Sequence, residues 1–495
     1  MKFIVKLFAE ITIKSDSVRR KMVRQLYHNL HTLLDEDAPG SWIERHWDRL
    51  DVEPAPGREA AIRAILTQTP GIAHVLEAEE IVYDGMADLV EKVAPHYAEA
   101  IAGKRFRSTT KRSGKTDFTS IDFDRALGAR LLELSPTAKV DLHHPEVVVR
   151  MAIHGPKAWR IIARHEGLGG YPLGEIGAGV SLISGGYDSG VATYLALRRG
   201  LLTHFCLFRL GGETHIRSVL PQVYTLWRRH ARSHNPRLVI VPFEGVVEAL
   251  KAHTDPGLLG VLLKRMMFKA AERVAHRAHA QALVTGESLA QVASQTLTNL
   301  NRIDSAIDML VIRPLITMHK QEIITQAEQI GLAHHAACTP EYCGALIERP
   351  HASASAGAIE KAEAAFPWEV LDQALEAAEV VLARNIPERA TRTTDIPQVM
   401  APGDGLVVDL RDAAEAAADP RPETGLALPY AQLDERLHEL PKDRPLMLYC
   451  ARGLLSAVAG CHHLRDVGGA RGAFGNVARE HDLGRLQGLV EDLPR

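Results

Sequence analysis

Apolar positions along the chain fall into short alternating or continuous blocks, separated by stretches with helical spacing. KFIVKLF at the start reads as a strand, VRRKMVRQLYHNLHTLL as an amphipathic helix, and the stretch around WDRLDVE as a second strand. Together they predict a small α+β unit over residues 1–60. AAIRAILTQTPGIAHVLEAEEI then reads helix, turn, strand. A helix near MADLVEKVAPHYAEAI follows, then a strand region at KRFRSTTKRSGK, a helix near DFDRALGARLLEL, and the strands VVVRMAI and AWRIIARH. These predict a second compact α/β domain over 61–165. GLGGYPLGEIGAG, rich in glycine, predicts a linker. Beyond it, VSLISGG, LLTHFCLFRL, RLVIVPF and QALVTGE are strands, with helices between them at SGVATYLALRRG, LWRRHAR and LLKRMMFKAAERVAHRAH. That alternation predicts a doubly wound parallel sheet over 174–384, with AIEKAEAAFPWEVLDQALEAAEVVLA helical at its end. The polar stretch RNIPERATRTTDIPQVMAPGDG contains three prolines and predicts a linker over 385–403. A last α/β domain starts near LVVDLRD and occupies 404–495. Its tail, AFGNVAREHDLGRLQGL, does not read as a closing strand. The fold class is therefore α/β multidomain.

Composition narrows the class without naming a partner. The chain has 495 residues, 46% hydrophobic and 24% charged, with a formal net charge of -3. That length suits three or four domains. The balance is that of a globular chain, and its charge neither requires nor excludes nucleic acid. The opening MKFIVKLFAEITIKS reads as a strand rather than a secretory leader. No run of about 18 apolar residues occurs, so no membrane span is expected. The five cysteines, Cys206, Cys338, Cys343, Cys450 and Cys461, are too sparse for a secreted disulfide framework, and cytoplasm is the expected location.

The most informative stretch is LISGGYDSG. A strand ends in Ser184-Gly185-Gly186 and a helix begins near Ser189. Glycines allow close backbone approach to an anion, and a helix N-terminus supplies free N–H groups. The Gly-Lys-Ser/Thr ending of the common phosphate loop is missing, which argues against transfer of a γ-phosphate. SGGYDS resembles the SGGxDS signature of PP-loop ATP pyrophosphatases. That resemblance implies ATP bound with its pyrophosphate in the loop, transfer of AMP to an oxygen, and Asp188 beside Mg²⁺ and phosphate. Lys264 and Arg265 open a basic helical cluster that could reach phosphates. TGESLAQVASQT, 285–296, reads as a second nucleotide-binding segment, and Arg313 and Lys320 as partners for transition-state charge.

A second cradle surrounds Cys450. The strand LMLY delivers it into the loop ARGLL before a helix near Ser456, a setting that lowers a thiol pKa. With Asp409 and Arg411 upstream, CARGLLS resembles the rhodanese domain, which carries sulfane sulfur on that cysteine. Cys206 and Cys461 read as buried structural thiols. Cys343 in TPEYCG has Cys338, His334 and His335 nearby. Zinc is one reading of that group, although the spacing matches no standard site. A resolving thiol at Cys343 is the other.

KRFRSTTKRSGK holds six basic residues in twelve and no acid: Lys104, Arg105, Arg107, Lys111, Arg112 and Lys115. A solvated strand explains this, and so does a phosphate-contact surface. With the glycine-rich stretch downstream, the region resembles a THUMP RNA-binding domain, and residues 1–60 resemble the ferredoxin-like unit that accompanies it. In order, FAEITIKS, LISGGYDSG, TGESLAQVASQTLTNL, PEYCG and CARGLLS resemble the tRNA 4-thiouridine synthetase (tRNA uracil 4-sulfurtransferase, ThiI) family of the rhodanese-bearing type. The resemblance implies ATP·Mg²⁺ on Leu182, Ile183, Ser184, Gly185, Gly186, Asp188, Ser189, Lys264, Gly286, Gln295 and Lys320. It implies tRNA held by the basic N-terminal half, a persulfide on Cys450 loaded by a cysteine desulfurase, and a Cys343–Cys450 redox disulfide. A thiamine sulfur-carrier protein is a further implied recipient, and a homodimer stays open. Cys338 is an extra cysteine beside Cys343, so the sequence leaves open which thiol resolves. Two other readings remain at this stage. One is a PP-loop amidating ligase, for which no glutaminase domain is visible. The other is an RNA-binding sulfur carrier without thiolation.

Overall fold

A computed structural model gives the fold and describes residues 1–340, 342, 350–392, 406–418, 425–441, 446–450 and 475–476. It divides into two compact units, Met1–Leu173 and Gly174–Arg495. No helix of the described residues is long and apolar enough to cross a membrane.

In the first unit the elements are β1 (Lys2–Leu7), α1 (Ala9–Thr12), α2 (Asp16–Asp37), β2 (Trp42–Arg45), β3 (Arg49–Glu53), α3 (Glu59–Gln68), β4 (Ile72–Ile81), α4 (Gly85–Val93), α5 (Pro95–Ile101), β5 (Arg105–Ser113), α6 (Ser120–Leu134), β6 (Lys139–Val140), β7 (Val147–His154) and β8 (Lys157–Gly169). All eight strands form one sheet in the order β2-β3-β1-β4-β8-β7-β5-β6. Alternation along β1 sends Phe3, Val5 and Leu7 into a core with Leu26 and Leu30 of α2 and Ile62 and Leu66 of α3. Farther along the sheet, Phe106, Val149, Met151 and Ile153 pack with Phe123, Leu127 and Leu131 of α6.

Residue 60, expected to separate two units, falls inside this arrangement. α3 belongs to the first core, and β4 joins β1 on one edge to β8 on the other. The expected glycine-rich linker also starts later. β8 reaches Gly169, and Tyr171 is buried in the first core with its hydroxyl donating to Glu10 at 2.7 Å. β2 had no hydrophobic signature to announce it, because three of its four residues are exposed.

The second unit opens with β9 (Ala178–Leu182), α7 (Tyr187–Arg198), β10 (Leu202–Arg209), α8 (Gly212–Leu226), β11 (Arg237–Pro242), α9 (Glu244–His253) and α10 (Leu259–Arg277). It continues with β12 (Ala282–Val284), α11 (Leu297–Asp304), β13 (Leu310–Ile312), α12 (Lys320–Gln329), α13 (Ala333–Ala337) and β14 (Glu379–Leu382). The sheet order is β13-β12-β9-β10-β11-β14. Its pairs are parallel except that β14 runs antiparallel to β11. Both faces are covered, so the strands read as apolar runs. Val180, Cys206, Phe208 and Val241 share a core with Met266, Phe268 and Ala271 of α10. Burial pushes the Cys206 thiol up, in line with a structural role.

Two readings change here. The helical stretch expected to run to Ala383 breaks at Phe366–Pro367, and its Val380 and Val381 extend the sheet edge as β14. Ile386–Arg392, expected as linker, is a helix whose Arg389 is buried and forked onto Glu213 and Glu379.

The remaining strands, β15 (Leu406–Asp409), β16 (Leu426–Ala427), β17 (Leu446–Tyr449) and β18 (Gly475–Asn476), form a parallel sheet in the order β16-β15-β17-β18. β18 supplies a strand in the tail where the sequence pattern showed none.

Candidate functional site

The chain leaves β9 for β10 on one side and returns with β12 on the other. In a doubly wound sheet, the crevice outside the carboxyl ends of such strands is where ligands bind. Leu182 ends β9 and Val284 ends β12, so the two sequence-singled loops, 183–186 and 285–295, meet at this switch point.

The first loop is held by its own serines and by a glutamine. Ser189 Oγ accepts from the Ser184 N–H at 3.2 Å, lies 3.2 Å from Ser184 Oγ, and donates to the Gly186 carbonyl at 3.2 Å. Gln222 of α8, fully buried, donates its amide to the carbonyls of Gly185 at 2.9 Å and Gly186 at 3.2 Å. Those bonds commit the Gly185 and Gly186 carbonyls, and the loop leads into the first turn of α7, whose N-terminus is the kind of place that receives an anion. Gly185 has φ +87, which favours glycine, and a Cβ there would lie 2.7 Å from Thr339 Cγ2. Ile183 is buried and donates its N–H to the Cys206 carbonyl at 2.9 Å.

Gly286 packs directly on that first turn: a Cβ there would lie 2.5 Å from the Asp188 carbonyl carbon and 2.6 Å from Ser189 N. The Asp188 carboxylate accepts from Lys320 Nζ at 2.7 Å and from Gln291 Nε2 at 2.8 Å. Gln295 is buried, and its carbonyl accepts from the Ala290 N–H at 2.9 Å, which folds the second loop back on itself.

The other basic residues singled out for this site in the sequence have carboxylate partners. Lys264 Nζ donates to Glu287 at 2.7 Å, and Arg313 Nε donates to the same carboxylate at 2.8 Å. Burial pushes the Glu287 carboxyl up, but Lys264 and Arg313 outweigh it and hold the group below the ordinary range. Arg313 also clasps Asp304, so it pins the second loop to α11 rather than facing the first. Arg265 is buried and forks onto Glu363, inside the core.

The segment leading to Cys343 approaches the first loop. Thr339 abuts Gly185, and its hydroxyl donates to the His335 carbonyl at 3.0 Å. Tyr342 stacks on His215 with ring centroids 4.1 Å apart and presses on Gly211. Burial lowers His215 to about 4, so the ring is neutral, and its Nδ1 accepts from the Leu210 N–H at 3.1 Å. Cys343 and Cys461 lie outside the described residues. Cys338 is exposed, with its sulfur 3.9 Å from His334 Nε2. Among the described residues, no group of three or more His, Cys, Asp or Glu is arranged to hold a metal.

Cys450 follows β17 and is 5% exposed. Beside it, Arg411 forks onto Asp409, with Nε 2.9 Å and Nη2 2.6 Å from the carboxylate, and lies over the Tyr449 ring. The pair is neutral in sum, so it orders this rim rather than charging it.

In the first unit, strand alternation divides the basic cluster. Phe106, Ser108 and Thr110 face α6, where Ser108 and Thr110 bond Asp124. Arg105, Arg107 and Lys111 therefore point to the other face, and Arg112 does not. Arg105 is paired with Asp141 and Glu146, and Arg107 donates to the Leu142 carbonyl at 3.1 Å. Lys104, Lys111 and Lys115 are exposed. Lys111 is close enough to Lys6 and His74 to help lower both, after burial.

Comparison with known proteins adds independent information. The family model described as thiamine biosynthesis protein (ThiI) matches residues 174–367, and the THUMP domain model matches 83–159. A tRNA sulfurtransferase of Pseudomonas fluorescens is 40% identical over 477 residues, 95% of this chain and 98% of its own length. One from Azotobacter vinelandii is 41% identical over the same coverage. Among solved structures, a 4-thiouridine synthetase–RNA complex with bound ATP superposes with a TM-score of 0.68 at 26% identity. That match covers 77% of this chain and 99% of the other.

Proposed function

The chain belongs to the tRNA sulfurtransferase family, and from that premise we propose how its residues carry out ATP-dependent thiolation of tRNA. The observation that carries the reading is the convergence of Gly286, Gln291 and Lys320 on Asp188 and the 184–189 loop at the switch point.

The loop amides receive the pyrophosphate of ATP. Gly286 is the floor, and Lys320, held by Asp188, supplies positive charge beside the α-phosphate. Mg²⁺ bound to a nucleotide needs one or two carboxylates besides phosphate oxygens. Asp188 at the loop mouth fits that demand, whereas Glu287 is already spent on Lys264 and Arg313. The metal, when bound, neutralises phosphate charge; the chain's own residues orient the nucleotide.

The tRNA substrate is held by the N-terminal unit, read as a ferredoxin-like unit plus THUMP domain. Uridine-8 is presented unstacked. O4 of the uracil attacks the α-phosphorus and pyrophosphate leaves. The C-terminal sheet is read as a rhodanese domain whose Cys450 carries a persulfide from a cysteine desulfurase. The outer sulfur attacks C4 and AMP departs with O4. Cys343 thiolate attacks the inner sulfur of Cys450, which breaks the S–S bond and leaves a Cys343–Cys450 disulfide. An external thiol reductant reopens it. Alternatively, Cys343 releases the outer sulfur as sulfide ahead of the attack on C4. The same Cys450 persulfide serves a thiamine sulfur-carrier protein as a second acceptor.

The test is a thiolation assay with unmodified tRNA, ATP, Mg²⁺, cysteine and a cysteine desulfurase, with the nucleosides identified by mass. 4-Thiouridine should form, and should vanish in Asp188→Ala and in Cys450→Ser. Persulfide on Cys450 without any thionucleoside would leave the chain a sulfur carrier and sink the proposal.

A further inference from the structure

The edge of the C-terminal sheet that bears Cys450 is also the edge that touches the body holding the nucleotide loop. β15, β16 and β17 run parallel, so their carboxyl ends share one rim. Backbone bonds tie the segments after them together: Leu410 N–H to the Tyr449 carbonyl at 2.8 Å, Leu428 N–H to Asp409 at 2.9 Å, and Tyr430 N–H to Leu410 at 2.9 Å. Tyr430 and Asp412 reach out from this rim. Tyr430, 5% exposed, meets His334 edge-on with centroids 4.8 Å apart at 88°, and His335 at 5.7 Å. Asp412 Oδ2 accepts from Arg229 Nη2 at 3.3 Å.

The receiving surface is pre-set. His335 is buried, with its Nε2 3.2 Å from Thr225 Oγ1. Arg229 lies in a π-helical turn, Trp227–Ala231, and donates through Nη1 to the Ile330 carbonyl at 3.1 Å. Such turns concentrate at functional places because they cost regular helix geometry. Thr339, four positions past His335, abuts Gly185. One short segment therefore joins the contact with Tyr430 to the nucleotide loop, and runs on toward Cys343.

We propose that α13 and the Trp227–Ala231 turn form a docking seat for the sulfur-bearing rim, with Tyr430 and Asp412 among its contacts. Seating turns the end of β17 toward the nucleotide loop for sulfur delivery. The contact includes a ring packing and a partly exposed ion pair. The inference rests on the proposed role of Cys450.

The test uses full-length Tyr430→Ala and Asp412→Arg, the latter at a half-exposed side chain. Cys450 is preloaded as the persulfide and transfer to tRNA is followed in a single turnover. Transfer should slow at least tenfold in both variants, while Cys450 loading and pyrophosphate release stay within twofold of the parent. Amide exchange of residues 333–337, free of any chemical step, should rise in both. Parent-like transfer with parent-like exchange would overturn the seat. Should the parent itself transfer no sulfur to tRNA, the thiolation reading falls. The seat is then judged by exchange alone, and unchanged protection of 333–337 overturns it.

Discussion

Replacing Gly286 by alanine adds one carbon where there is no room for it. The new Cβ would lie 2.5 Å from the Asp188 carbonyl carbon, 2.6 Å from Ser189 N and 2.7 Å from the Asp188 oxygen, whereas ordinary contact begins at 3.4 Å. About 0.9 Å of separation must open, and all three neighbours are backbone atoms, so no rotamer change relieves it. β9 and β12 are locked in register behind the contact. The first turn of α7 and the 285–287 loop are what give way. Overpacking of this kind costs roughly 1–3 kcal/mol, and a displacement of about 1 Å at a reacting centre costs on the order of 100-fold in rate. Pyrophosphate release should therefore lose about two orders of magnitude in kcat/KM for ATP, with the unfolding midpoint lowered by only a few degrees. Affinity for tRNA measured without ATP should not change. Gly128→Ala, with nothing within 4 Å of the new carbon, is the matched control and should leave kcat/KM intact. Parent-like kcat/KM in Gly286→Ala would refute the packing of these loops and the anion role assigned to the turn.

Gln222→Leu keeps the volume and removes both bonds to the glycine carbonyls; KM for ATP should rise about tenfold or more, and an unchanged KM would show the loop holds its shape unaided. Burial lowers His335 to about 3 and His215 to about 4, so the folded state resists protons that the unfolded chain takes up below about 6.5. Stability is then full above that pH and falls as pH drops toward those values, by about 2 kcal/mol per ring at pH 5. Denaturant midpoints should show this slope, reduced in His335→Leu; equal slopes would contradict the burial argument. Removing the charges of Lys104, Lys111 and Lys115 should lower the salt slope of tRNA binding by up to roughly 2–3, and an unaltered slope would move the RNA surface elsewhere. Cys343→Ser should leave Cys450 loading and pyrophosphate release intact but block release of 4-thiouridine already in a single turnover, and parent-like product release would end its assignment as resolving thiol.

The turn between β9 and α7 was legible because its determinants are local. An apolar strand, a glycine pair and flanking serines within nine residues determine a strand-to-helix turn wherever the chain folds. Gln222 was not legible. It lies inside α8 among apolar neighbours, and its two bonds cross 36 and 37 positions of sequence. Lys264 illustrates a middle case: a reach toward phosphates could be read, but only the fold shows its bond to Glu287. The basic stretch 104–115 looked like one patch because composition ignores the period of two that splits it. The continuity of the sheet across residue 60 was not legible either, since pairing between β1 and β4 is a long-range fact with no local mark.

That shared sheet has a consequence for how the protein is made. β4 is complete at Ile81, but its second partner, β8, begins only at Lys157. At about 5–20 residues per second, a ribosome leaves a ten-residue strand edge waiting roughly 4–15 s for its neighbour. A gene cut near residue 82 would make that wait permanent and leave a long bare edge open to sticking to other chains. The N-terminal 173 residues must therefore be inherited, transplanted or expressed as one piece.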